Sequence, residues 1–243
     1  CIRDSLTGVG SLKAFVRECT DLPVTLVLTH GHVDHAGASF EYGECYVNPA
    51  DVALLYEHGD IDKRYGFVVG GGKPEGAFVP KKEDVVPPCA VKTLPVQDGD
   101  VFDLGGVQIE AIAVPGHTVG TMVYLDRARR VLYSGDACNA NTLLGLPCST
   151  TVETYAKSLD HLATYLKGID KFYGGHGLQA VPAYIVDEAL ILCEEILSDD
   201  DDRFETEFLG RKFLYARKFD GMFHREDGGI ANIAYVMEKV YNK

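Results

Sequence analysis

Apolar residues at Leu12, Phe15, Val16 and Cys19 recur at the i, i+3, i+4, i+7 spacing behind Ser11. That pattern predicts a helix capped by the serine and ended by Pro23. The next run, Val24-Thr25-Leu26-Val27-Leu28, is short and mostly apolar, as a buried strand requires. Cys45-Tyr46-Val47 predicts another strand, and Asn48-Pro49 opens a helix reaching about His58. Over 59–90 the pattern breaks into Gly70-Gly71-Gly72, several prolines and Lys81-Lys82-Glu83-Asp84, which predicts a long loop. Tyr65, Phe67 and Phe78 within it are candidates for a pocket entrance. Strands follow near 91–96, 100–104, 107–114, 121–126 and 130–135, punctuated by Asp98-Gly99 and Gly105-Gly106. Val152, Tyr155, Leu159, Leu162 and Leu166 then mark one face of a helix. A strand at Lys171-Phe172-Tyr173, a helix over about 182–197 and a strand-turn-strand tail over 204–243 complete the pattern. Alternating β-rich and helical blocks predict a layered α/β fold, and with no linker the expectation is a single domain over 1–243.

The 243 residues, 46% of them apolar, suffice for a sizeable core. The longest apolar runs are a few residues, against roughly 20 for a bilayer span, so no membrane partner is expected. A net charge of −13 repels phosphate backbones and argues against nucleic acid. Part of that acidity lies in Ser198-Asp199-Asp200-Asp201-Asp202, read as a solvated loop. Arg211-Lys212, with Arg217-Lys218 nearby, reads as a solvated strand face. Seven cysteines with no C-x-x-C pair read as reduced thiols, hence a cytoplasmic protein. The chain opens on Cys1 rather than Met, which fits either a removed leader or residues upstream.

The histidines carry the chemistry. Three fall within six residues, in Thr29-His30-Gly31-His32-Val33-Asp34-His35, directly after a predicted buried strand. Imidazole nitrogen and carboxylate oxygen are the donors zinc accepts when no thiolate is offered. A tight loop lets His30 and His32 converge on one ion, while Asp34 and His35, displaced along the turn, face a second. Gly31 keeps that loop compact, and Ala36-Gly37-Ala38 lets the next segment pack closely.

His30-x-His32-x-Asp34-His35 resembles the signature of the metallo-β-lactamase superfamily. Three later elements follow in the family's order: Val114-Pro115-Gly116-His117-Thr118, Ser134-Gly135-Asp136 and Gly174-Gly175-His176-Gly177. The resemblance runs from about residue 4 to 177 and implies an αββα sandwich that here lacks the family's N-terminal strands. It also implies one metal on His30, His32 and His117, and a second on Asp34, His35 and His176, with Asp136 bridging. Two zinc ions are the implied occupants, with iron or manganese as alternatives. An aspartate at 136 makes the chain more similar to the glyoxalase II-like branch than to the zinc β-lactamases proper. The implied activity is hydrolysis of an ester, thioester, lactone or similar small-molecule bond by hydroxide generated between the metals, with Asp34 orienting the water.

The alternative reaction class is an iron-dependent oxygenase or oxidoreductase similar to a persulfide dioxygenase. A nuclease fits the acidic composition poorly. Thr29 and Thr118 flank ligands and are candidates for orienting their rings. Asn139 and Asn141 are candidates for lining the pocket. His58 and His161 read as surface residues, His224 as a residue of the C-terminal segment, and Cys138 as a buried thiol rather than a ligand. The substrate-binding residues are not legible. Because the family's first strands are missing, a longer native protein or a homo-oligomer is expected to cover the open edge.

Overall fold

Leu26, Val27 and Leu28 are buried, as their apolar run demands. They belong to the first of two compact units, Cys1–Val96 and Gln97–Lys243, into which the computed structural model divides. The described residues are 2–70, 78–176, 180–208 and 210–242.

The first unit contains β1 (Ile2–Arg3), α1 (Leu12–Cys19), β2 (Leu26–Val27), α2 (Val33–Ala36), β3 (Glu44–Val47), α3 (Val52–His58), α4 (Ile61–Gly70) and β4 (Lys92–Pro95). The strands form one parallel sheet in the order β1-β2-β3-β4. Its core joins Leu26, Leu28, Cys45 and Val47 to Phe40, Leu55 and Val91. Ser11 caps α1 by accepting from the Ala14 amide. The apolar face of α1 is nonetheless not buried, and Phe15 is 62% exposed.

The long loop expected over 59–90 is corrected by α4. Asp60 starts that helix by accepting from the amides of Asp62 and Lys63, which a reading centred on glycine and proline overlooked. Arg64, on its inner side, is fully buried and donates to the carbonyls of Gly37 and Val86. A charged residue is a poor advertisement for a packed helix, so the hydrophobic pattern missed it. Gly71 and Gly72 lie outside the described residues, as does Cys1.

The second unit comprises β5 (Val101–Asp103), β6 (Gln108–Ala113), β7 (Met122–Asp126), β8 (Val131–Gly135), β9 (Thr142–Leu143), α5 (Val152–Ala163), β10 (Lys171–Gly174), β11 (Val181–Pro182), α6 (Ile185–Ser198), β12 (Phe204–Phe208), β13 (Arg211–Tyr215) and β14 (Ile233–Tyr235). Six strands form a sheet in the order β11-β10-β8-β7-β6-β5, antiparallel except for the β10/β8 pair. The remaining strands form a four-stranded sheet in the order β12-β13-β14-β9. Val152, Tyr155, Leu159 and Leu162 of α5 and Ile185, Leu192 and Ile196 of α6 share a core with Ile112, Leu132 and Phe172 of the larger sheet.

The acidic run after α6 is only partly solvated. Asp199 takes the left-handed C-cap (φ 63). The Asp201 side chain is wholly buried and accepts from the Tyr235 hydroxyl at 2.7 Å. Among the described residues no helix is long and apolar enough to cross a membrane.

Candidate metal centre

In the first unit, β2 leads into Thr29 and His30, His32 precedes α2, and α2 carries Asp34 and His35. The rings gather tightly: His30 lies 4.1 Å from His35 and 4.8 Å from His32, centroid to centroid. Two glycines permit this. A Cβ on Gly31 would come within 2.9 Å of the Asp51 carbonyl oxygen, and one on Gly37 within 2.4 Å of the Thr7 carbonyl oxygen. The Gly31 amide also donates to the Asp51 carboxylate at 2.9 Å.

Beneath the rings sits Asp4, buried and in the left-handed region (φ 59), which aspartate tolerates better than most residues. Its carboxylate contacts the Thr29 amide at 2.7 Å, the Thr29 hydroxyl at 2.9 Å and His35 Nδ1 at 2.9 Å. An ionised carboxylate only accepts, so His35 carries its proton on Nδ1. The single Thr29 hydroxyl proton goes to Asp4. The same oxygen therefore accepts from His30 Nδ1, 3.0 Å away. One carboxylate thus sets the tautomer of two histidines and turns the lone pair of each Nε2 outward.

The second unit repeats the device with a backbone group. His117 follows β6, and its Nδ1 lies 3.0 Å from the Leu143 carbonyl, which again only accepts. Ser149 braces the pair by donating to the carbonyls of His117, at 2.8 Å, and Leu143, at 3.2 Å. Gly116 is required before it, because a Cβ there would lie 2.3 Å from the Tyr155 ring. Asp136 leaves the end of β8 and His176 the end of β10. Parallel pairing of these strands, Gly174 opposite Gly135, brings the two side chains together. Asp136 Oδ2 is 3.1 Å from His176 Nε2 and 3.7 Å from His117 Nε2. In the first unit Asp34 Oδ2 is 3.6 Å from His35 Nε2.

In a neutral imidazole held by Nδ1–H, Nε2 is an acceptor. A carboxylate oxygen set against it is a second acceptor, and the two repel unless a cation lies between them. With metal–ligand bonds of about 2.0–2.2 Å and tetrahedral angles, two donors to one ion stand roughly 3.3–3.6 Å apart. The pairs at 3.6 and 3.7 Å match that span. The residues therefore fit a divalent metal, with nitrogen and oxygen donors and no thiolate.

A family model described as the metallo-beta-lactamase superfamily matches residues 21–202. The chain belongs to this superfamily. It is 30% identical over 189 residues to the acyl-coenzyme A thioesterase MBLAC2 of Gallus gallus, covering 71% of this chain and 66% of the relative. The Homo sapiens MBLAC2 is 27% identical over 160 residues, covering 63% of this chain and 56% of the relative. The chain thus spans less than two thirds of the length of these relatives. Among solved structures, the metallo-beta-lactamase family protein TTHA1429 from Thermus thermophilus superposes with a TM-score of 0.55 at 22% identity, covering 81% of this chain and 71% of that one. TTHA1623, solved in a di-iron-bound form, gives 0.50 at 22% identity over 76% of this chain and 86% of its own. The mixed α/β architecture is that of the superfamily.

Within each unit the structure brings together the residues singled out from the sequence: His30, His32, Asp34 and His35 in the first, His117, Asp136 and His176 in the second. Gly177 lies outside the described residues. Thr29 Oγ1 lies 3.0 Å from His30 Nδ1, while Thr118 bonds Thr121, hydroxyl to hydroxyl, at 2.9 Å. Asn139 accepts from the Asn141 amide at 2.7 Å, which shapes the turn after Asp136. Cys138 is buried in the core, where desolvation pushes its thiol up to about 12. His161 pairs with Asp98 at 3.1 Å and His224 with Asp220 at 3.2 Å, both exposed.

His58 is a correction. It is half-buried rather than on the surface, and its ring stacks on His32 at 5.3 Å and 21°. Burial lowers its pKa below the usual histidine value. Asp4 and Asp51 were not assigned roles from the sequence. Neither sits in a periodic pattern, and their function depends on which loop folds over them.

Proposed function

We propose that the chain is a metal-dependent thioester hydrolase with a two-metal centre. One metal would be held by His30, His32 and His117, the other by Asp34, His35 and His176, with Asp136 bridging. The observation that carries this reading is the fixed tautomer of His30, His35 and His117, each with Nδ1 held and Nε2 offered as a donor. Zinc is the proposed occupant. The bound metals would supply Lewis acidity, acidifying water toward neutral pH and polarising the scissile carbonyl.

The chain's own groups do the rest. The Asp34 carboxylate, partly open at 18% exposure, orients the attacking water and takes its proton. Asp4, through Thr29 and His35, keeps the donor nitrogens deprotonated during turnover. His176, with its side chain 60% exposed, borders the solvent side from which substrate arrives. A thiolate leaves readily, its conjugate acid titrating near the cysteine value of about 8.5, so no dedicated general acid is needed. That favours thioesters over amides. The MBLAC2 relatives, named as acyl-coenzyme A thioesterases, and the aspartate at 136 point to the same substrate class.

The test is a metal-replete screen of acyl thioesters, lactones, phosphodiesters and β-lactams, with Asp136→Ala and His117→Ala as controls. Thioester turnover that both variants abolish is the expected result; turnover that survives them refutes the assignment. Metal analysis of protein purified without added metal distinguishes the second reading. Stoichiometric iron with oxygen consumption would identify the oxygenase class instead.

A further inference from the structure

His117 and Asp136 come from strands that are not neighbours. In the larger sheet β7 lies between β6 and β8, so the two strand ends stand roughly 9–10 Å apart, twice the spacing of adjacent strands. Strand β6 ends at Ala113, which leaves His117 on the loop beyond it, and β8 ends at Gly135, just before Asp136. Sheet pairing alone therefore leaves the separation of the two side chains open. In the structure His117 Nε2 and Asp136 Oδ2 lie 3.7 Å apart.

One side chain touches the backbone beside both. Tyr155, fully buried in the first half of α5, donates its hydroxyl to the Ala137 carbonyl at 2.6 Å, one residue past Asp136. Its ring lies against Gly116, one residue before His117. A Cβ on that glycine would come 2.3 Å from ring carbon Cδ2 and 2.9 Å from Cε2. The peptide unit is planar and of fixed length, so a shift at Gly116 or Ala137 passes to the Cα of the adjoining side chain.

Helix α5 gives the tyrosine a fixed base. Ser158 donates to the Pro115 carbonyl at 2.8 Å, and the Thr150 amide, just ahead of the helix, donates to the Gly116 carbonyl at 2.9 Å. Thr151 caps the helix by accepting from the Thr154 amide. With the Tyr155 ring, these contacts tie the His117 loop to the helix at three points. The phenol ties the Asp136 loop to the same helix. Ala137 is itself fully buried, so solvent does not replace a missing hydroxyl at its carbonyl.

We infer that Tyr155 is a positioning residue that sets the His117–Asp136 separation, its ring holding one loop and its hydroxyl the other. The inference rests on the two-metal reading, because a metal shared by the pair is what makes their separation matter. Two donors to one such ion stand roughly 3.3–3.6 Å apart, close to the separation that Tyr155 maintains.

The experiment follows cobalt(II) binding to chelator-treated wild type, Tyr155→Phe, Tyr155→Leu and Tyr56→Phe. Cobalt accepts the same nitrogen and oxygen donors and, unlike zinc with its filled d shell, absorbs visible light. Phenylalanine at 155 keeps the ring against Gly116 and removes only the hydroxyl. Tyr56 is the control: its hydroxyl donates to the Val91 carbonyl at 2.7 Å, a bond of the same kind, and no proposed ligand adjoins Val91 in sequence. Competition with a chelating dye reads the affinity, the visible absorption reads the donor geometry, and urea denaturation in excess chelator reads the folding cost of each variant.

Tyr155→Phe is expected to weaken cobalt binding about tenfold, the lower end for losing a group that orients ligands, and to shift and weaken the visible bands. Tyr56→Phe is expected to leave both unchanged. Tyr155→Leu, which also takes the ring from Gly116, is expected to bind more weakly still; affinity equal to that of Tyr155→Phe would overturn the role given to the ring. A lowered urea midpoint in Tyr155→Phe with wild-type cobalt affinity and bands means a merely structural role and overturns the inference, leaving the two-metal reading intact. If the wild type takes up no cobalt, the two-metal reading fails and this inference with it.

Discussion

Replacing Asp4 by asparagine changes one atom in a buried network and tests the tautomer argument directly. The aspartate accepts from the Thr29 amide on one oxygen, and from the Thr29 hydroxyl and His35 Nδ1 on the other. An asparagine that keeps its oxygen on the Thr29 amide presents an NH₂ to the other two groups. His35 then meets a donor with a donor. Relief requires moving its proton to Nε2, which removes the lone pair a metal needs.

Two charge-assisted hydrogen bonds become neutral or are lost, a difference of about 2 kcal/mol in the stability of the metal-free protein. Loss of the group orienting a ligand costs 10- to 100-fold in metal affinity, or about 1.4–2.8 kcal/mol. Competition against a chelating dye measures the affinity, and urea denaturation in excess chelator isolates the stability term. Thr29→Val, which removes the hydroxyl between Asp4 and His30 but leaves the Asp4 contact to His35, should show a smaller loss. If Asp4→Asn binds zinc as tightly as the wild type, the assignment of His35 Nε2 as a donor fixed by Asp4 is wrong.

Gly37→Ala places a methyl 2.4 Å from the Thr7 carbonyl oxygen, with backbone on both sides. About 2–3 kcal/mol of overpacking, seen as a fall of roughly 5–10 °C in Tm, is expected; an unchanged melt would mean that the contact relaxes freely. Thiol labelling of the native protein at pH 8 should reach exposed Cys19 and Cys89 and spare buried Cys45, Cys138 and Cys193. Burial pushes the Cys45 and Cys138 thiols up to about 12 and that of Cys193 higher still. Rapid native labelling of Cys138 would contradict its place in the core. Asp227 is held below the usual aspartate pKa by its hydrogen bonds to Arg225. Its stabilising contribution is present above the unfolded-state value of about 3.9 and is lost as the pH falls through the lower folded value. Asp227→Asn should therefore flatten the acid limb of the stability curve, and an unaltered limb would show the pair to be inert.

The second unit was more legible in the sequence than the first. Strands β5 to β8 and helix α5 follow alternating or helical apolar patterns; each strand lies within a residue of its expected place, while α5 ends at Ala163, three residues short of Leu166. Strands β9 and β11, two residues each, are too short for any periodicity and exist only because neighbours supply their hydrogen bonds. Helix α4 was hidden because its buried side chain is an arginine and its start is marked by Asp60 rather than by apolar spacing. The histidine and aspartate cluster was readable because such residues are uncommon at this density. What orients their side chains was not. Asp4 and the Leu143 carbonyl act through tertiary contacts 31 and 26 residues away in sequence, and one of them is a backbone group that any residue would provide.

The Leu143 carbonyl has a further consequence. Strand β9 is ordered by parallel pairing with β14, whose residues come from the C-terminal tail. The tail therefore holds in place the group that aims His117, although it contributes none of the proposed ligands. Exchanging this segment between relatives would alter the pitch of one imidazole without touching a proposed ligand. Sequence drift in the tail would then surface as a change in metal affinity, far from any histidine.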